Sequence, residues 1–258
     1  MPSVQKIHAI LELLRKNFRT GLTNKEISEA LDIPTSTCYR ILAALKKVDY
    51  ITKRGSDLRY FLGFAHLRFA ESVLEGMDEA AVCLPYLEEL HSKTEETTFF
   101  ARWNGTYCVA VEVCGAIDTH IAVGRGEVMP LHCSATGRCV LAFLPPKEQE
   151  RLIREIDLKA YTAYTITDPQ ALRGKLGEIR STGVSALFQE FHNGINSMAT
   201  PIFGPQGRVL GALAVVGSSV DLDVQQLEEY AKYFLDASID VTRRLAGQFP
   251  DWIVIRGE

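Results

Sequence analysis

The chain has 258 residues, 47% of them hydrophobic and 23% charged, and a formal net charge of −4, which leaves collagen-like, disordered and coiled-coil readings little to stand on. No apolar run approaches the roughly 20 residues of a bilayer span, and Met1 to Asn17 carries periodic charges where a signal peptide would be apolar, so a cytoplasmic protein with no membrane partner is expected. The charge is uneven: residues 1–62 hold 11 Lys and Arg against 6 acids, a net of +5, while the remaining 196 hold 17 against 26, a net of −9. Two domains are expected, a small basic one that touches a polyanion and a larger acidic one with another task.

Ile7, Ile10, Leu11, Leu14 and Phe18 recur at helical spacing until Gly21, which predicts a first amphipathic helix. Thr23 and Glu26, three apart, suit a reciprocal cap for a short second helix with Ile27, Ala30 and Leu31 on its apolar face. Asp32-Ile33-Pro34 breaks that helix, and Thr35, Ser36 and Thr37 offer caps for a third. In the third helix Cys38, Ile41, Leu42, Leu45 and Val48 form one face, with Ser36, Arg40, Ala43 and Lys47 opposite. A small, polar, basic face is what entry into the major groove demands, since short side chains permit approach and an Arg reaches base edges. Tyr50–Thr52 and Leu58–Leu62 read as strands around the basic tip Lys53-Arg54-Gly55-Ser56-Asp57, which completes a winged helix-turn-helix over 1–62. Lys25, Thr35, Ser36, Thr37, Tyr39, Arg40, Lys47, Lys53 and Arg54 are its candidate contacts to double-stranded DNA.

Phe64, Leu67, Ala70, Val73, Leu74 and Met77 continue at helical spacing, so a helix over 63–79 is expected to join the domains. A helix at Ala81–Lys93 follows. Thr97–Trp103 and Thr106–Val113, split by Asn104-Gly105, predict a hairpin of the favoured tight-turn type, and Thr119–Val123 predicts a further strand. From Met129 the run Pro130-Leu131-His132-Cys133-Ser134-Ala135-Thr136-Gly137 opens an apolar helix with small residues, a natural seat for an anion because its first amides lack internal partners. Helices at Pro146–Ile156 and Asp168–Ser181, strands at Val184–Phe188, Ser197–Phe203 and Val209–Val216, and a last helix at Asp221–Ala246 complete an α+β effector-binding and oligomerisation domain over 80–258.

Six cysteines without a CxxC pair read as reduced thiols. A metal site drawn from His132 and Cys133 with Cys139 or His120 lacks ligands at finger-like spacing, so neither a metal nor another cofactor is expected. A hydrolase built on His132, Ser134, Glu190 and His192 is the rival class, but no nucleophile-elbow glycine pattern accompanies it. A non-DNA interaction module is a third class, and it leaves the basic helix face without a purpose.

The chain resembles the IclR family of bacterial transcription regulators. The resemblance is carried by Leu22-Thr23-Asn24-Lys25-Glu26-Ile27 with Ile33-Pro34-Thr35-Ser36-Thr37-Cys38-Tyr39-Arg40-Ile41-Leu42, by the helix at Pro130–Pro145, and by Gly194–Gly217. It implies a winged-helix reader joined to a GAF/PAS-like antiparallel sheet with helices that holds a small organic acid. It also implies homodimers, or dimers of dimers, on palindromic operators. The implied effector pocket is lined by Ser134, Ala135, Thr136, Gly137, Leu187, Ser197, Ala214 and Val216. Leu187, Ala214 and Val216 are apolar where small-acid sensors of the family carry polar side chains, which favours a larger acid.

Overall fold

The computed structural model describes residues 3–54, 58–115 and 123–250, and the chain divides after Gly76 into two units, 1–76 and 77–258. In the first, α1 (Ser3–Lys16), α2 (Asn24–Ala30) and α3 (Thr35–Lys47) precede a hairpin of β1 (Ile51–Arg54) and β2 (Arg59–Leu62). Its core gathers Ile10 and Leu14 of α1, Ile27 of α2, Ile33, and Cys38, Leu42 and Leu45 of α3, closed by Ile51 and Tyr60 of the hairpin. Thr23 and Glu26 form the expected reciprocal cap: the Glu26 amide donates to Thr23 Oγ1 at 3.3 Å and the Thr23 amide to Glu26 Oε2 at 2.7 Å. Arg59 reaches across from β2 to the same carboxylate, at 3.1 Å, and so ties the hairpin to α2.

Several expectations are corrected here. α1 ends at Lys16, well before Gly21, and Phe18, outside it, is 65% exposed. Val48 is the C-cap of α3 and is exposed, since the chain has left the helical period by then. Ala30 is exposed as well. Pro34 is the N-cap of α3 and no hydroxyl caps it; Thr35 Oγ1 is instead hydrogen-bonded to Ser28 Oγ at 3.0 Å. The tip residues 55–57, His120 and the strand expected over 119–123, apart from Val123, lie outside the described residues. The helix expected over 63–79 is α4 (Ala65–Glu75), shorter and within the first unit, where the Tyr50 carbonyl is hydrogen-bonded to His66 Nε2 at 2.8 Å.

The second unit begins with α5 (Asp78–Thr94). Among the described residues its sheet has six antiparallel strands in the order β5-β4-β3-β8-β7-β6, namely β3 (Thr97–Trp103), β4 (Cys108–Cys114), β5 (Val128–Met129), β6 (Ser185–Phe188), β7 (Ile195–Phe203) and β8 (Val209–Ser218). The two longest strands, β7 and β8, pair with Ser197 opposite Val216 and Ala199 opposite Ala214. One face packs on α6 (Ala135–Phe143) and α8 (Pro169–Thr182), with α7 (Pro146–Glu155) alongside. The other face packs on α5 and on α9 (Val224–Arg244). On that second face Thr98 Oγ1 donates to Leu87 O at 2.8 Å, and the Phe203 amide to Thr242 Oγ1 at 3.1 Å. Pairing of this kind removes most of the cost of burying them.

The turn after β3 differs from the expected two-residue type. Asn104 Oδ1 accepts from the Thr106 and Tyr107 amides, both at 3.0 Å, and the strands resume pairing only at Trp103 and Cys108. Gly105 has φ +96°, while Asn104 keeps a negative φ, so the side chain closes a four-residue loop.

Candidate functional site

Two sites follow from this framework. In the first unit α3 presents Ser36, Arg40, Ala43 and Lys47 to solvent in one row, as its periodicity predicts, with Tyr39 beside them at 59% exposed. Among the described residues no carboxylate forms an ion pair with Arg40, so its guanidinium is free to meet a base edge. Thr35 is exposed and Thr37 half-buried at the start of that helix. Lys25 stands on α2, exposed and 3.8 Å from Glu29. On the hairpin Lys53 lies over the Tyr60 ring at 5.2 Å and Arg54 over the Phe61 ring at 5.4 Å. Such contacts hold a long side chain along its strand while leaving its charge in water.

In the second unit a cavity of about 840 Å³ opens between α6 and the sheet. Ser134, Ala135, Thr136, Leu187, Ser197 and Val216 line it; Gly137 and Ala214, implied with them, do not. Gly137 is packed so closely that a Cβ there would stand 2.3 Å from Pro130 O, and its amide donates to Ser134 Oγ at 3.0 Å. Ala214 is fully buried in the core among its neighbours. Each therefore supports the wall from behind.

The helix start is less generous to an anion than its sequence promises, because Ser134 is committed. Its hydroxyl donates to Pro130 O at 2.6 Å while capping the Gly137 amide. Thr136 is the exception: it is 1% exposed, and its Oγ1 is buried without any hydrogen-bond partner. A buried hydroxyl without a partner costs about 1–3 kcal/mol, and the amides beside it precede the first intrahelical bond. Within the fold this donor has no acceptor.

Opposite that end the walls are apolar, with Phe99, Met129, Leu187, Ile195 and Val216. Sequence reasoning missed Phe99 and Met129, although alternation along β3 points Phe99 to the same face as Ala101. It named Glu190 and His192 only as part of a hydrolytic set, and it missed Glu127 and the partner of Glu190. Glu127 and Glu190 line the cavity, and Glu190 is neutralised by Arg138 of α6, whose Nη1 and Nη2 lie 2.8 and 2.5 Å from its oxygens. Arg138 is 1% exposed and also donates from Nε to His132 O at 3.0 Å.

These bonds dismantle the hydrolytic set. The Ser134 hydroxyl points at a carbonyl, Glu190 is held by Arg138, and His132 Nε2 is bonded to Lys159 O at 3.0 Å. All six cysteines are free thiols, and burial pushes the Cys133 pKa up to about 12 despite the nearby Arg138. A thiol so placed stays protonated and unreactive at neutral pH.

Comparison with known proteins assigns both units to one family. Residues 71–243 match the family model described as "Bacterial transcriptional regulator IclR C-terminal", and residues 3–55 match the "IclR helix-turn-helix domain". The HTH-type transcriptional regulator KipR of Bacillus subtilis is 25% identical over 94% of this chain and 96% of its own. An IclR transcriptional regulator from Alicyclobacillus acidocaldarius is 28% identical in its crystal structure, covering 94% of this chain and 98% of that one with a TM-score of 0.78. A homologue from Microbacterium hydrocarbonoxydans, crystallised with 4-hydroxybenzoate, is 25% identical with a TM-score of 0.72 and covers 93% of this chain and 99% of its own.

Proposed function

The chain belongs to the IclR family of bacterial transcription regulators, and from that membership we propose that it binds a palindromic operator as a dimer or dimer of dimers and senses a carboxylic acid with an apolar, aromatic body. It is a DNA-binding regulator with an effector-binding carboxy-terminal domain, not an enzyme. In this reading Arg40 reads base edges, and Lys25, Thr35, Ser36, Thr37, Tyr39, Lys47, Lys53 and Arg54 hold phosphate and register. One recognition helix covers too few base pairs for a lone site. A second copy would also cover Phe64, Leu67, Phe69 and Val73 along α4, each at least 51% exposed. On this reading the protein acts in the cytoplasm.

The observation that carries the effector reading is the partnerless Thr136 hydroxyl at the helix start of a cavity whose far walls are apolar. A carboxylate accepts from Thr136 and the adjacent amides, the aromatic body fills the space toward Phe99 and Leu187, and Ser197 Oγ donates to a ligand oxygen. Glyoxylate or pyruvate would leave that wall unfilled. The 4-hydroxybenzoate of the Microbacterium homologue supports an acid of this size.

Calorimetry tests it. Benzoate-like acids should bind more tightly than glyoxylate or pyruvate, and Ser197→Ala should weaken them by about 1.5–3 kcal/mol while leaving ligand-free DNA binding intact. By linkage, acid and operator should change each other's dissociation constants by one common factor, typically about 5–150. Tighter binding of glyoxylate than of any aromatic acid rejects the reading.

A further inference from the structure

On the sheet face opposite the cavity, Asn196 of β7 and Gly217 of β8 are register partners, so their Cβ directions share one face, about 4.5–5.5 Å apart. A Cβ on Gly217 would stand 2.5 and 2.8 Å from the two carboxylate oxygens of Glu96. Glu96, at the junction of α5 and β3, therefore lies directly over Gly217, with Asn196 on the next strand. Asn196 is 5% exposed; its Nδ2 donates to Leu222 O at 2.9 Å, and its Oδ1 is buried with no donor.

The turn after β8 brings a second carboxylate. Leu222 donates its amide to Ser218 O at 2.8 Å and Asp221 donates its amide to Ser218 Oγ at 3.3 Å, which folds Asp221 back toward Gly217. Burial first, and the Asp221 charge second, raise the Glu96 pKa above its ordinary value. The other ionisable neighbours offer no compensation. Glu95 and Glu229 are acidic, and the Tyr230 phenol is raised by burial and by these same carboxylates. His91 Nδ1 is bonded to the Glu96 carbonyl at 2.7 Å. Two carboxylates and an amide oxygen, all acceptors, thus share this corner of the sheet, and among the described residues no Lys or Arg forms an ion pair with Glu96 or Asp221.

We infer that Glu96, Asn196 Oδ1 and Asp221 form a binding site for a hard divalent cation of the calcium or magnesium class. Oxygen donors of mixed charge suit such ions and repel soft ones. Among the described residues no three His, Cys, Asp or Glu side chains converge as metal ligands; here the third donor is an amide, and the exposed side of Asp221 leaves room for water to complete the shell. The ion joins the α5–β3 junction to the turn entering α9. Ser197 and Val216, which line the cavity, are the chain neighbours of Asn196 and Gly217, so the ion braces the two strands that carry the cavity wall.

The test uses the full chain stripped by a chelator and titrated with CaCl2 or MgCl2 by calorimetry, and with MnCl2 by electron paramagnetic resonance. One saturable site per chain is expected, with a dissociation constant of about 10⁻⁵–10⁻³ M and a higher melting temperature on binding. Glu96→Gln should weaken binding at least about tenfold, as expected on losing a charged oxygen ligand. Gly217→Ala, whose methyl displaces the carboxylate, should weaken it too while leaving the circular dichroism spectrum unchanged. Absence of saturation with all three ions by about 10 mM, or undiminished binding in both variants, overturns the inference. So does a Glu96 carboxyl 13C shift that saturating CaCl2 leaves unmoved.

Discussion

Replacing Thr136 by Val keeps the shape of the side chain and removes only the hydroxyl, which is buried and without a partner in the ligand-free protein. The consequences for stability and for binding have opposite signs. Without ligand, loss of a hydroxyl whose burial costs about 1–3 kcal/mol should stabilise the fold, and a β-branched residue at the same place in α6 adds no new strain. For a unit of this size each kcal/mol shifts the melting temperature by about 2–4 °C, so a rise of about 2–12 °C is expected. With an aromatic acid present the variant loses a hydrogen bond to a charged group, about 1.5–3 kcal/mol, or roughly 10–150-fold in affinity. Differential scanning calorimetry with and without benzoate, followed by titration calorimetry, measures both. A variant less stable than the parent in the absence of ligand, or one with undiminished affinity, would refute the assignment of Thr136 as the waiting donor.

Arg40→Ala should weaken operator binding by about 1–3 kcal/mol and relax sequence preference, whereas neutralising Lys53 and Arg54 should weaken all DNA binding and flatten its salt dependence; band-shift titrations over a salt series separate the two, and unchanged selectivity in Arg40→Ala removes α3 as the reader. Hydrogen bonds from the Thr23 amide and hydroxyl, helped by Arg59, hold the Glu26 carboxyl below its ordinary pKa. Its contribution is then complete above the unfolded-state value and fades as pH falls toward the folded one. Glu26→Gln should accordingly destabilise the protein at about pH 7 and match the parent at about pH 3, as urea unfolding at the two pH values would report. Arg138→Met leaves Glu190, whose side chain is 12% exposed, without its partner and should cost about 3–5 kcal/mol, while Arg138→Met with Glu190→Gln recovers much of it; thermal melts showing the double variant no better than the single would contradict the pairing.

What could be read in advance follows the range over which the determinants act. Thr23, Glu26 and Pro34 set helix boundaries through contacts within a few residues, and the start of α2 falls where they place it. The Thr- and aromatic-rich run Thr-Thr-Phe-Phe-Ala-Arg-Trp ahead of Asn104-Gly105 marks β3 from end to end. Phe18 and Val48 were misjudged because the helical period was carried past the last turn, where the backbone no longer obeys it. The Asn104-Gly105 turn was misjudged because one side-chain oxygen captures two amides. In the cavity, small residues before an apolar helix signal its start, yet nothing local tells that Ser134 is consumed by Pro130 and Thr136 is not. Arg138 and Glu190 are 52 residues apart in sequence, and Glu96, Asn196 and Asp221 lie on three separate segments; only the sheet pairing brings such groups together.

That pairing also orders events on the ribosome. β3 and β4 leave the exit tunnel as a hairpin, but the strand that covers the free edge of β3 is β8, about a hundred residues later, or some 5–20 s of synthesis at ordinary elongation rates. Throughout that interval an apolar edge with open amides and carbonyls is available to any neighbouring nascent chain. A message truncated before the β8 codons would therefore yield an insoluble product rather than a smaller soluble regulator, and full-length yield should depend on chaperones that shield β3 during the wait.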